Sequence, residues 1–150
     1  MASLFPTDFY NNTLDTKKEN ELPMLYDYLI DLNTGHLVLD EHKRCIIVSG
    51  VNAIVVQSYR KIFTPQGQYF IYSNEYGSKL REFIGMGKSY ADTFIEDYLN
   101  RCLVSNWKYV NKIKNVTTKL VGNNYIVNFQ LETVYGDVKY KDLDLHICPD

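Results

Sequence analysis

The sequence has few of the features that mark secreted, membrane-spanning or metal-binding proteins. Its three cysteines are odd in number and widely spaced, with no CxxC and no Cys/His ligand spacing, so we expect reduced, buried thiols. No apolar run approaches the ~20 residues of a membrane span. The first residues lack a basic segment followed by an apolar one, so no secretory signal is expected. These absences favour synthesis and folding in the cytoplasm, without a membrane partner.

Charge of one sign is also lacking. The 16 basic and 18 acidic residues give a net charge of −2, and no sustained basic stripe occurs, which disfavours nucleic acid as the main partner. The histidines His36, His42 and His146 have no ligand-like spacing, so we expect no metal site. P-loop, dinucleotide-binding and G-x-S-x-G patterns are missing as well, and no cofactor is predicted.

Tyrosine is the abundant residue, with 13 copies against one tryptophan. Tyrosine suits protein interfaces because it combines a large contact area with a polar tip. Ordinary packing in the core and on the surface explains many tyrosines equally well, and both explanations remain open.

The stretch from Ser49 to Gly87 organises the chain. Apolar residues at helical spacing predict an amphipathic helix over Val51 to Phe63, with Ser49 as its N-cap and Thr64-Pro65 ending it. Tyr69, Ile71 and Tyr72 then form a β-prone run. Ser78 to Gly85 is interpreted as a second, short helix closed by its final glycine.

The flanking segments predict strands and one more helix. Upstream, Tyr26 to Leu32 and His36 to Leu39 are typical of a β-hairpin turning at Gly35, and a short strand covers Cys45 to Val48. Downstream, Ser89 to Asp92 matches a capping box for a helix whose apolar face extends to Leu103. Two strands follow, over Val116 to Val121 and over Tyr125 to Thr133, the second with strict alternation.

The last predicted strand, Val138 to Ile147, changes its alternation part-way. Val138 and Tyr140 share one phase, whereas Leu143, Leu145 and Ile147 share the other, so we expect a bulge near Lys141-Asp142. Such a strand is interpreted as incompletely paired within its own sheet. An ordinary sheet edge is the alternative.

Together these elements predict an α+β fold with a small, mostly antiparallel sheet, about three packed helices and an extended N-terminal arm. The arm covers residues 1–25, and a single domain covers residues 26–150. Isolated aromatics in the arm indicate that it lies on a neighbour in an assembly. A disordered tail is the alternative, and the sequence does not decide between them.

The order of the central motifs resembles the sheath-initiator family, the small baseplate-wedge proteins of contractile phages, prophages and bacteriocins. The motifs are the helix, Thr64-Pro-x-Gly67, Tyr69-x-Ile-Tyr-Ser73, Tyr76-Gly-Ser78 and Phe83-Ile-Gly85, and the resemblance covers roughly Tyr26 to Ile147. Many relatives carry Glu-Pro-Arg or Gly-x-Arg at the turn. This chain has Gln66-Gly67-Gln68-Tyr69 there, so no role of that arginine transfers.

The resemblance implies a structural role in the baseplate of a phage tail or tail-like particle. A ring of six copies around the tube would bridge the baseplate wedge and the sheath and template the first sheath ring by β-strand augmentation. Wedge proteins and the sheath protein are the implied partners, with the tail tube as a further candidate. We assign sheath binding to Val138, Tyr140, Leu143, Leu145 and Ile147, and wedge binding to Tyr59, Tyr69, Tyr72 and Tyr76.

Three other function classes are compatible with a small α+β domain. A cytoplasmic adaptor could bind short peptides along the same sheet edge, and behind it stands a small-molecule binding fold. Glycosidase chemistry requires two carboxylates across a cleft. The candidates Glu75, Glu82, Asp92, Glu96 and Asp97 lie in a turn or on helix positions typical of solvated faces. We therefore expect no enzymatic activity.

Overall fold

Two antiparallel sheets and two α-helices make up the part of the chain that the computed structural model describes, residues 22–83, 85–122 and 124–145. In the smaller sheet, β1 (Tyr26–Tyr28) pairs with β2 (Ile47–Ser49). The larger sheet has the order β3-β4-β5, with β3 spanning Val110–Val121, β4 Asn124–Thr133 and β5 Gly136–Asp144. The helices are α1 (Val51–Phe63) and α2 (Lys88–Leu99).

Helix α1 has the predicted bounds. It ends where Thr64, with ψ 118°, is extended ahead of Pro65, which confirms the predicted stop. The predicted N-cap is wrong, because Gly50 occupies the capping position with φ 59° and no side chain caps the helix. Arg60 holds α1 to the small sheet through an ion pair with Asp27 of β1, at 3.0 Å.

Helix α2 buries the expected face through Ala91, Ile95 and Leu99 and continues as a π-helical turn over Asn100–Val104. The capping box is wrong here too. The helix begins one residue before Ser89, Gly87 takes the capping position, and no side chain caps it. A glycine therefore takes the capping position in both helices. At Gly50 the positive φ favours glycine, whereas Gly87 has extended angles that any residue can adopt.

The predictions of about three helices and of one sheet are wrong. The segment read as the middle helix forms a single 3₁₀ turn, Leu80–Phe83, because Gly85, with φ 85°, ends it at once. The N-terminal strands pair with each other rather than with the larger sheet. The predicted hairpin around Gly35 is reduced to one bridge, Ile30 to Leu37.

Strand β4 is the centre of the larger sheet and follows the predicted alternation. One face is buried along the whole strand, and the opposite face is half-buried. The buried residues are Tyr125, Val127, Phe129, Leu131 and Thr133. They pack in one core with residues from α1, α2 and the 3₁₀ turn, including Ile54, Phe83, Ile95 and Leu99.

Strands β3 and β5 are both bulged. The predicted irregularity in β5 is confirmed, because Tyr140 pairs with Phe129 but Leu143 pairs with Val127, leaving Lys141 and Asp142 opposite one residue. Asp142 has φ 52°, and its amide donates to the Asn128 side chain at 2.7 Å. Strand β3 begins at Val110, earlier than predicted, and carries its own bulge between Lys114 and Thr117.

Candidate functional site

Strand β5 lies at the edge of its sheet, with β4 on one side and a groove on the other. Within the described residues, no further strand pairs with it. The groove has a volume of about 350 Å³ and separates β5 from α1. It is lined by every residue from Val138 to Asp144 and, on the helix side, by Val55, Tyr59, Ile62 and Phe63. Because consecutive residues of a strand point to opposite faces, this continuous lining means that the groove follows the strand's outer edge.

Two tyrosines line the groove with hydroxyls that are buried. Tyr140 stacks on Phe129 of β4, with ring centroids 4.6 Å apart, and burial raises the pKa of its hydroxyl to about 12. Tyr59 is 6% exposed, and its hydroxyl has no hydrogen-bond partner within the described residues. Burial also raises the pKa of Tyr59, and the charge of Asp31 adds to this shift. Both hydroxyls therefore stay protonated at neutral pH.

The residues predicted to bind the sheath are packed against the protein's own core. Val138 and Leu145 are buried, and Tyr140 and Leu143 are half-buried against the same cluster. The Leu145 amide donates to the Tyr125 carbonyl at 3.0 Å, so pairing with β4 continues past the bulge. Ile147 lies outside the described residues. The side chains of β5 that are exposed along the groove are those of Lys139, Lys141 and Asp142, and its outer edge pairs with no other strand of the described residues.

The residues predicted to bind the wedge divide between two places. Tyr69, Tyr72 and Tyr76 share the segment of residues 64–79, here called the aromatic loop. Tyr72 stacks on Tyr76 with ring centroids 4.3 Å apart, and Tyr69 meets Tyr72 edge-on at 6.3 Å. Tyr59 lines the groove and also reaches a smaller cleft that Tyr69 shares.

The aromatic loop is a closed loop and not the β-prone strand expected. The Ser78 amide donates to the Thr64 carbonyl at 2.8 Å, and the Gln66 amide donates to the Ser78 carbonyl at 3.0 Å. The Ser78 hydroxyl donates to the Ile62 carbonyl, which joins the loop to α1. At Gly77 a Cβ atom would lie 2.5 Å from the Thr64 carbonyl oxygen, so the closure requires glycine.

The most exposed apolar side chains of the loop were not among the predicted site residues. Phe70 is 108% exposed and Ile71 84%, against 50% for Tyr69 and 41% for Tyr72. The sequence contained no signal for this exposure, because local propensity reads Tyr-Phe-Ile-Tyr as a half-buried strand. The exposure results from the closure of residues far apart along the loop.

The candidate carboxylates lie in different surroundings, with Asp92 and Glu96 on the same wall of one cleft, one helical turn apart on α2. Glu75 accepts a hydrogen bond from Asn106 at 2.7 Å, Asp97 pairs with Arg101 at 2.9 Å, and Asp92 accepts from Thr118. In the described part of the chain, no three His, Cys, Asp or Glu side chains come together as metal ligands. The described helices are also too short or too polar to cross a membrane.

The chain matches the family model for sheath initiators of contractile injection systems over residues 26–136. The chain belongs to this family of sheath initiators. The match covers the smaller sheet, both helices, the aromatic loop and strands β3 and β4 of the larger sheet, and it ends where β5 begins. A comparison with curated proteins gives no significant match. Membership in this family implies association of the initiator with sheath and baseplate components, and the family is a structural one and not an enzyme class.

Proposed function

We propose that this initiator seats the first sheath ring by offering the outer edge of β5 as a template for an incoming sheath strand. The observation that carries the proposal is the groove between β5 and α1, which leaves one side of that strand open. An exposed strand edge binds an extended segment through backbone hydrogen bonds, and neighbouring pockets select its side chains.

The two walls of the groove give this edge more selectivity than a bare strand would have. Backbone hydrogen bonds net only about 0.5–1.5 kcal/mol each and do not distinguish sequences. The apolar side chains of Val55, Ile62 and Phe63 on α1 supply a surface on which alternate residues of an added strand pack. Lys139 and Lys141 flank the edge and oppose indiscriminate pairing between copies.

The other edge of the larger sheet faces a different neighbour. Strand β3 also carries a bulge, between Lys114 and Thr117, and the cleft beside it is lined on the α2 side by Asp92, Ile95 and Glu96. Charged side chains line both clefts, so what distinguishes the β5 groove is the apolar wall of Val55, Ile62 and Phe63 on α1. The β3 edge therefore serves as an internal control in the test below.

The aromatic loop, with Tyr69, Tyr72 and Tyr76, faces the wedge. Six copies form a ring around the tube and present their β5 edges to the sheath together. Each strand addition is modest by itself, and repetition around the ring makes the first sheath disc firmly held. The shape of this edge is set from within the core by Val138, Tyr140, Leu143 and Leu145. Ile147 comes after them in the sequence.

Amide hydrogen exchange tests the proposal directly. Baseplates carrying the initiator are mixed with sheath protein, and the exchange of β5 peptides is compared before and after addition. We expect protection over residues 138–144 and none over the outer edge of β3. Protection of β3 alone, or of neither edge while sheath binds, would overturn the template. An adaptor would instead show β5 protection with short peptides unrelated to the sheath, and none when sheath protein is added to baseplates.

A further inference from the structure

We propose that Phe70 and Ile71 are a two-residue apolar anchor that inserts into a pocket on a folded baseplate subunit other than the sheath. This rests on the proposed function, in which the aromatic loop faces the wedge, and it assigns the contact to residues that the motif analysis did not select. Tyr72 and Tyr76 then act as support within the loop. Phe70 and Ile71 provide the contact.

Exposure is the first support for this assignment. Phe70 and Ile71 are 108% and 84% exposed, more than any other large apolar side chain in the described residues. Two adjacent side chains held fully in water cost about 1.5–3 kcal/mol each relative to burial. Neither side chain packs in the core of this chain, so this free energy of burial is gained when another molecule covers them.

The rigidity of the loop is the second support. Backbone hydrogen bonds of Ser78 and Gln66 join its ends. The Gln66 side chain donates to the Asn74 carbonyl at 2.7 Å, and the Tyr72 and Tyr76 rings stack on each other. A loop that is already ordered loses little conformational entropy when it binds. A preorganised apolar tip is suited to a preformed pocket.

The chain around the tip favours a protein partner. From Thr64 to Asn74 the loop contains no charged residue, whereas Glu75 and Lys79 lie nearer its closure and Arg60 and Arg81 line the cleft behind Tyr69. A lipid surface of the usual anionic composition would be met by lysine or arginine beside the apolar tip. A neutral tip instead fits a neutral, apolar protein pocket, where no charge has to be desolvated. Aromatic residues fully buried at the centre of an interface are also the common hot spots of protein–protein binding.

Photo-crosslinking in the assembled particle tests the anchor. A photoreactive phenylalanine replaces Phe70 in one variant and Val121 in a matched control, since Val121 lies at the β3–β4 turn and is 57% exposed. Crosslinked products from purified particles are identified by mass spectrometry. We expect a product from position 70 with a baseplate subunit. Crosslinking to the sheath protein, to lipid, or to nothing in complete particles would overturn the anchor.

A binding measurement separates failure of the anchor from failure of the proposed function. Phe70→Ser with Ile71→Ser should lower incorporation of the initiator into baseplates by at least about tenfold, while Val121→Ser leaves it unchanged. Thermal unfolding should be unaffected in both, because the side chains at position 70 and 71 lie outside the core. Normal incorporation of the double variant overturns the anchor, yet β5 protection by sheath would still hold.

Discussion

The groove along β5 and the aromatic loop present opposite parts of the polypeptide to solvent. At the groove, apolar side chains such as Val138 are buried and the outer edge of β5 has no strand partner in the described residues. In the loop, the backbone is closed by hydrogen bonds and the side chains of Phe70 and Ile71 are open. A backbone edge binds any extended segment of fitting register, whereas an apolar tip needs one shaped pocket. One small domain can therefore carry two interfaces of distinct chemistry.

The strongest test of this contrast is to fill the groove. Val55→Arg places a long charged side chain where an added strand would lie, and we expect at least about tenfold fewer sheathed tails because that charge would be desolvated on docking. Electron microscopy of assembled particles counts them. Asn52→Arg on the exposed side of α1 is the control and should assemble normally. Sheathed tails at the wild-type level in Val55→Arg would contradict the role of the groove.

The loop closure can be broken at a single glycine. Gly77 has φ 98° and its added Cβ would meet the Thr64 carbonyl oxygen at 2.5 Å, so Gly77→Ala should cost about 3 kcal/mol of unfolding free energy in urea titration. Gly67→Ala is the matched control, since it has φ 75° but no atom within 4 Å, and should cost about 1 kcal/mol. Equal losses of unfolding free energy in the two variants would show that the Thr64 carbonyl moves away from an added Cβ easily.

One tyrosine hydroxyl in the groove should lower the free energy of unfolding of the isolated protein. Because the buried Tyr59 hydroxyl has no partner in the described residues, Tyr59→Phe should raise the unfolding free energy by about 1 kcal/mol. Tyr125→Phe is the matched comparison and should lower it by a similar amount, since the Tyr125 hydroxyl donates to the Met86 carbonyl. Urea unfolding measures both, and destabilisation by Tyr59→Phe would mean that its hydroxyl is satisfied.

A smaller effect comes from a half-buried charge that belongs to neither surface. Lys61 lies 4.0 Å from the centre of the Trp107 ring, and burial lowers its pKa to about 8 from 10.5. Between these values Lys61 binds more protons in the unfolded chain than in the folded one, so it makes the free energy of unfolding rise with pH. Cys102 acts in the opposite direction, because burial raises its pKa from 9.0 to about 12. The test is therefore a difference: from pH 7.5 to 9.5 the change in unfolding free energy should be more positive in the wild type and in Lys119→Met than in Lys61→Met. The same change in Lys61→Met as in the wild type would contradict the assignment.

Much of the helical and strand structure followed from local patterns. The bounds of α1 and its stop at Thr64-Pro65, the alternation of β4 and the bulge at Lys141-Asp142 were all predictable, because each depends on residues close together in the chain. The first half of β3 was missed. Its lysines and asparagines lack the alternation that marks a strand, and antiparallel backbone pairing with β4 stabilises it instead.

The candidate site depended on contacts between distant residues and was predicted less well. The groove forms because α1 lies beside β5, and the sequence of neither segment alone predicts that the two are neighbours. The β-prone run of Tyr69, Ile71 and Tyr72 became a loop because Ser78 bonds back to Thr64. The choice of β5 as the binding strand stays a prediction. Of the predicted arm over residues 1–25, residues 1–21 lie outside the described residues, and Pro23 and Leu25 accept hydrogen bonds from Tyr109 and Gly50 of the same chain.

Cryo-electron microscopy of a particle that contains this initiator tests the central claim most directly. The sheath-proximal end of the baseplate would be examined at the outer edge of β5. The account predicts a sheath strand hydrogen-bonded along Val138 to Asp144, with side chains packed against Val55 and Ile62 of α1. A first sheath ring that contacts the initiator elsewhere, with the groove empty or closed by another baseplate protein, would contradict it.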